Sequence, residues 1–324
     1  MARSLHMVAV RPLVPVAPGP KNLHSGQGGH APAGTPQDPE RDRHMRVLWI
    51  HAHPEPRSLS AALRDEGLRA LRESGHEHRQ SDLYAMGWDP VVDRGDFPDH
   101  EPERRLVVST ASKAAHLSGR LSADIRAEQE KIRWADTLIV QFPLWWFGPP
   151  AILKGWFDRV FVKGFAYGVK DPADGGRTLR YGDGGLAGRR AMAVVTTGGA
   201  APAFGPRGIN GDLDSLLFPL HHGTFWYTGM EAVPPFAVYD ADRLDAAGYA
   251  AAAAGLRERL RTLPDTAPIP FRREAGGEYD RDSVLRGDVA PGRTGAAAHL
   301  AATAPAGRDG GRVPCGAGTG AGDR

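Results

Sequence analysis

Short apolar runs alternate with amphipathic stretches through the middle of the chain. Met45–Ala52 (MRVLWIHA), Asp136–Leu144 (DTLIVQFPL) and Arg190–Gly199 (RAMAVVTTGG) are nearly continuous apolar segments bounded by polar or glycine-rich residues. That is the signature of strands buried on both faces in a parallel sheet. The stretch after the first run places Leu59, Leu63, Leu68 and Leu71 at helical spacing, with Ser58 at the cap position and Gly75 at the end, so a helix is predicted there. His76–Tyr84 reads as a polar edge strand, residues 89–121 as irregular, and Ser122–Ala135 as a helix capped by Ser122. A further helix starts at Pro149-Pro150, where missing N–H groups cost nothing, and puts Ile152, Leu153, Trp156, Phe157 and Val160 on one face. A fourth and fifth strand are expected near Gly223–Asp240, and a last helix over Asp242–Leu263. The βαβα order predicts a doubly wound α/β fold, a parallel five-stranded sheet with helices on both faces.

Composition changes this picture at the two ends. Residues 1–44 contain seven prolines and no Phe, Trp or Tyr, and residues from 291 onward also lack aromatics. Neither stretch carries enough apolar surface to offset the entropy of ordering it. The organisation expected is therefore an N-terminal arm or an over-called start over 1–44, a domain over 45–272, an extension packing on it over 273–290, and a disordered tail over 291–324. A formal net charge of +2 gives no reason to expect nucleic acid or an anionic membrane as partner. No apolar run approaches the length of a membrane span. The single cysteine, Cys315, rules out an intrachain disulfide and agrees with a cytoplasmic location.

Ligands of such sheets bind outside the carboxyl ends of the strands. Three unusual stretches fall there: HAHPEPRSLS (51–60), QFPLWWFGPP (141–150) and TTGGAAPAFGPRGINGD (196–212). Motifs for a dinucleotide Rossmann site, a P-loop and a nucleophile elbow are missing from the sequence, and His51 and His53 have no clustered carboxylate or cysteine, so no metal site is expected. His53, Arg57, Ser58 and Ser60 before a helix N-terminus make an anion cradle suited to a pyrophosphate; a capped helix with a solvated arginine is the other reading. Thr196, Thr197, Gly198 and Gly199 combine hydroxyls with glycines that let a planar ring approach the backbone; a plain strand-to-loop turn is the other. Trp146 and Phe147 belong either to the core or to a ligand wall.

The stretches SDLYAM, LSADIRAEQEKI, QFPLWWFGPPAILKGWFDRVF, FAY, TTGG, GINGD and HGTFWYTGM resemble, in order from about Met45 to Pro270, the FAD-dependent NAD(P)H:quinone oxidoreductase family. The ending IPFRREAGGEYDRDSVL resembles bacterial members, which lack the longer C-terminal domain of animal relatives. The resemblance implies a flavodoxin-like fold and a homodimer with FAD, rather than FMN, at its interface. It implies that His53, Ser58, Leu59 and Ser60 hold the phosphates and ribityl region. Pro143, Leu144, Trp145, Trp146, Phe147, Thr196, Thr197, Gly198 and Gly199 would then line the isoalloxazine. Trp146, Phe147, Tyr167 and Tyr227 would line the cavity where nicotinamide and quinone alternate.

The implied activity is ping-pong, two-electron reduction of a quinone or similar flat acceptor by NADH or NADPH. An azo- or nitro-compound reductase, or a flavin-binding regulatory subunit of a potassium-efflux system, are the alternatives. Tyr167 and two departures from the family's pattern mark the catalytic positions. Where relatives often carry a Tyr and, six residues later, a His, this chain has Phe204 and Asn210. Trp145 stands where Gln is frequent. Phe204 lacks the hydroxyl, and Asn210 can donate a hydrogen bond but no proton at neutral pH.

Overall fold

The computed structural model describes residues 44–301; Cys315 and most of both expected tails lie outside the described residues. Six parallel strands form one sheet: β1 Arg46–His51, β2 Glu77–Asp82, β3 Thr137–Pro143, β4 Arg190–Thr196, β5 Glu231–Ala232 and β6 Phe236–Val238. The order is β2-β1-β3-β4-β5, with β6 also pairing β4. The two short strands share the fifth position. β5 pairs with Arg190 and Ala191, and β6 with Val194–Thr196. Pro234-Pro235 lies between them, and proline cannot donate to a sheet ladder. The five-position, all-parallel order is the flavodoxin-like one, and its strand order reverses between β1 and β3.

Both faces of the sheet are covered because each central strand is apolar on both sides. On one face Leu48, Ile50, Leu138, Val140 and Phe142 pack with Ile125 and Ile132 of α3 (Ala123–Trp134) and with Leu153, Trp156 and Val160 of α4 (Ala151–Val160). On the other, Val47, Trp49, Ile139 and Val194 pack with Leu63, Leu68 and Leu71 of α1 (Leu59–Glu73) and with Leu256 and Leu260 of the C-terminal helix, α7 (Ala246–Thr262). Gly67 lets α1 lie on the sheet: a Cβ there would stand 2.3 Å from the Trp49 indole. α1 and α7 are joined by Arg257, which reaches both Glu66 and Glu73.

Three expectations are corrected. Residues 89–121 are not all irregular: α2 runs over Val108–Leu117. It buries only Ser112 and Ala115, so it carries no apolar stripe for periodicity to detect. Ser122 stands at the cap position of α3, but its hydroxyl makes no capping hydrogen bond. The tail does not begin at 291: Gly295–His299 forms a 3₁₀ turn and Ala298 is buried. There the Arg272 N–H donates to the His299 carbonyl at 3.0 Å, and the Ala301 N–H to the Pro270 carbonyl at 2.8 Å. Backbone pairing, invisible to composition, holds this segment. Between β4 and β5 the chain is helical as α5 Leu213–Leu216 and α6 Phe218–Leu220, followed by a π turn over His221–Trp226.

Candidate active site

The loop after β1 reaches the first turn of α1. Ser58 Oγ accepts the Ala61 N–H at 3.1 Å, so Ser58 is the N-cap expected. Helical geometry leaves the N–H groups of Leu59 and Ser60 without intrahelical acceptors, pointing out of a 15-residue helix whose dipole favours an anion there. Arg57 does not join this cradle. Its side chain is 89% exposed and pairs with Glu55 at 3.1 Å. His53 receives the Glu55 N–H on Nδ1 at 3.1 Å, and its ring lies 6.3 Å from Trp145. The β1 and β3 loops therefore meet.

The loop after β3 is a tight turn. Trp145 and Gly148 exchange both backbone hydrogen bonds, each at 3.0 Å. The two residues between them, Trp146 (φ 49°) and Phe147 (φ 59°), are both left-handed. This is the type I′ geometry that Asn-Gly normally supplies. A left-handed residue with a side chain costs about 1–2 kcal/mol, and here two bulky aromatics bear that cost. Trp146 is 97% exposed and Phe147 51%. Among the described residues neither side chain belongs to the core.

The loop after β4 lies alongside. The Leu144 N–H donates to the Thr196 carbonyl at 2.8 Å, and Thr196 and Thr197 are buried. The Asp240 and Ala241 N–H groups donate to the Gly199 and Thr197 carbonyls at 3.1 and 3.0 Å, which fixes the loop from the β6 side. Gly199 has the tighter surroundings: a Cβ there would meet the buried Phe204 ring at Cε2, 2.8 Å away, and Asn210 Nδ2 at 3.3 Å, whereas one on Gly198 would meet only the movable carboxylate of Asp242, Oδ2 at 2.6 Å. Phe204 and Asn210 thus lie against this loop. Phe204 is buried, 5.7 Å from the ring of Tyr239, an aromatic that the sequence reading did not single out.

Tyr167 and Tyr227 form a separate group. Burial, with Tyr227 beside it, pushes the Tyr167 phenol above its ordinary value, so it remains a hydroxyl donor at neutral pH. Tyr227 packs edge-on against Tyr181 at 5.1 Å, and Tyr181 stacks on His222 at 5.0 Å. Tyr181 was likewise missed; it has φ 46°, and no motif marks it. A concavity of about 510 Å³ lies elsewhere, between Phe97–Val107 and α2, and shares no residue with the three loops. No group of three or more His, Cys, Asp or Glu among the described residues is arranged to hold a metal ion. No helix among them is long and apolar enough to cross a membrane.

Residues 45–260 match a family model described as flavodoxin-like fold. A ribosyldihydronicotinamide dehydrogenase-like protein of Penicillium crustosum is 44% identical over 76% of this chain and 94% of its own length. The rat (Rattus norvegicus) NAD(P)H dehydrogenase [quinone] 1 is 35% identical over 70% of this chain and 80% of its own length. A Klebsiella pneumoniae structure assigned as a quinone reductase superposes with a TM-score of 0.76 at 50% identity, covering 79% of this chain and 100% of that one. The match spans all six strands and all three loops, and the chain belongs to the flavodoxin-like family that contains the NAD(P)H and ribosyldihydronicotinamide quinone dehydrogenases.

Proposed function

We propose that the protein is a flavoenzyme reducing quinones, or similar flat acceptors, by two electrons at the expense of NADH or NADPH, with FAD as its flavin and a homodimer as its working form. The observation that carries this reading is the turn at Trp146-Phe147. Strained backbone holds two aromatics that the described residues leave exposed, Trp146 almost fully and Phe147 by half, at the mouth of the sheet's switch point. The residues present fit a flavin: a capped helix N-terminus for phosphates, paired glycines of which Gly199 has no room for a Cβ, and exposed aromatic faces.

Leu59 and Ser60 N–H groups, with Ser58 and His53, would hold the phosphate and ribityl portion. Pro143, Leu144 and Trp145 would line one side of the ring system, and Thr196–Gly199 the other. When bound, the flavin supplies the hydride-accepting and hydride-donating chemistry. The protein's part is to orient the two flat reactants and exclude water. Trp146 and Phe147 wall the cavity where they alternate. Tyr167 and Tyr227 would complete the cavity of the partner subunit, which is why the reading needs a dimer. Phe204 carries no proton, and the Asn210 amide does not titrate, so this edge offers a hydrogen bond and no acid.

The test is direct. Purified protein should be yellow, and the flavin released on denaturation should migrate as FAD. Steady-state oxidation of NADH, NADPH and N-ribosyldihydronicotinamide, each with menadione, then identifies the reductant, since relatives are named for both kinds. A protein that stays colourless after incubation with FAD and with FMN would end the proposal. Flavin binding without turnover would point to a regulatory role.

A further inference from the structure

One side chain inside the sheet joins β1 to the first turn of α1. Gln141 is fully buried on β3, two residues before Pro143. Its Oε1 accepts the Trp49 Nε1–H at 2.8 Å and lies 3.2 Å from His51 Nδ1. Its Nε2 donates to the Ser60 carbonyl at 2.7 Å and lies 3.3 Å from Ser60 Oγ. His51 is its direct neighbour across the β1–β3 ladder. Every polar atom of the amide is therefore occupied, by two strand residues on one end and by the first turn of α1 on the other. An amide in an otherwise apolar strand costs free energy unless all its hydrogen bonds are made. An aliphatic side chain there would close the same sheet without touching Ser60 specifically.

We propose that Gln141 is a positioning residue for the flavin site: it sets the height of the α1 N-terminus against the aromatic turn at Trp145–Gly148. The inference rests on the flavin reading above. The two loops that would hold the two ends of the cofactor are joined rigidly here. Trp49 fixes the body of α1 through its contact with Gly67, and Gln141 fixes its first turn. Burial, with Arg64 nearby, holds His51 down to about 4, so at neutral pH the imidazole is uncharged and can give its Nδ1 proton to Gln141 Oε1. The network is then neutral throughout. A shift of the first turn by a fraction of an ångström would misplace the Leu59 and Ser60 N–H groups from the anion while leaving the sheet intact.

The test is flavin affinity against stability. Gln141→Glu keeps the acceptor oxygen toward Trp49 and His51, but in place of the Nε2 donor to Ser60 it has a second oxygen that donates only while the acid is protonated. Burial raises a carboxylic acid's pKa. Affinity for FAD, measured by fluorescence quenching, should stay within about threefold of wild type at pH 5.5 and fall by at least about tenfold at pH 8, where wild type is flat. The triple variant Trp49→Phe, His51→Leu, Gln141→Leu removes the polar partners on the sheet together and leaves only the Ser60 hydroxyl without its contact, so it keeps the fold if the single variant does not. It should lose about tenfold in FAD affinity with an apo melting temperature near wild type. Wild-type affinity in either folded variant at all pH values would overturn the positioning role. Absence of flavin binding by wild type itself would instead remove the reading on which the inference stands.

Discussion

Two aromatic clusters use the same residue types in opposite ways. Around the C-terminal segment, Phe271 lies 6.1 Å from Phe218, 6.2 Å from Trp226 and 5.0 Å from His222, and His299 adds a ring 5.4 Å from His222. Phe271 and Trp226 are buried, and the Trp226 indole N–H is satisfied by the Arg272 carbonyl at 3.0 Å. At the mouth of the sheet, Trp146 and Phe147 sit on left-handed backbone and face solvent. The first cluster lowers the free energy of folding. The second raises it. A residue kept where it destabilises the chain needs a reason outside the chain's own packing, and a flat ligand between two subunits is such a reason.

The contrast breaks first at Phe271. Phe271→Ala should cost about 3–5 kcal/mol, the usual range for a buried ring, and lower the melting temperature by roughly 10 °C. Flavin affinity of the fraction still folded at low temperature should be unchanged. A loss of affinity without a loss of stability would mean that this cluster serves the site and not the fold.

Acid should attack the packed cluster before the mouth. Burial holds His221 down to about 4, and burial with His299 beside it does the same to His222. His221 Nε2 has no hydrogen-bond partner among the described residues. A histidine depressed in the fold is neutral there and takes up a proton more readily once unfolded. Its contribution is therefore whole above pH 6.5 and drains as pH falls toward 4. For the buried His221 the slope is about 1.4 kcal/mol per pH unit. Chemical denaturation should show stability falling as pH drops from 6.5 to 4.5, and His221→Leu should lower the slope by about one proton's share while those of His51 and His222 remain.

A chain ended at Ala290 sharpens the comparison from the other side. It loses the Arg272–His299 and Pro270–Ala301 backbone pairs and the contact of the Arg272 side chain with the Ala298 carbonyl at 3.1 Å. At about 0.5–1.5 kcal/mol per net hydrogen bond, a loss of roughly 2 kcal/mol is expected, read by urea unfolding. Equal stability would restore the composition-based boundary at 291.

Composition misplaced that boundary because backbone pairing at Phe271–Leu300 needs no apolar residue. β1, β3, β4, α1, α4 and α7 were legible because each buries a continuous apolar run or stripe, whereas β2 buries only Ser81 and was legible as a polar edge strand. α2 was not, because its buried residues are a serine and an alanine. The three loops were legible by position alone, at the carboxyl ends of strands. What they do to their residues was not. Nothing in WWF announces a type I′ turn, because its sequence signature is Asn-Gly and these residues violate it. Gln141 was visible as the one amide inside an apolar strand that opens on Thr137, yet its partners on β1 and α1 are brought together only by the fold.

The smallest expected effect on stability is the most informative. Trp146→Gly removes a left-handed side chain, which relieves about 1–2 kcal/mol, and adds chain entropy to the unfolded state, which costs roughly 0.5–1 kcal/mol. Almost no burial is lost, since Trp146 is 97% exposed. The net change for the isolated chain is a gain of about 0.5 kcal/mol, so the melting temperature should hold or rise slightly while turnover with menadione falls. Melting at two protein concentrations adds the second half of the comparison. If a second copy covers Trp146, the substitution costs stability in the dimer, and the cost appears at high concentration and fades on dilution. A loss that does not change with concentration would place Trp146 against its own chain, and the two aromatic clusters would no longer be opposites.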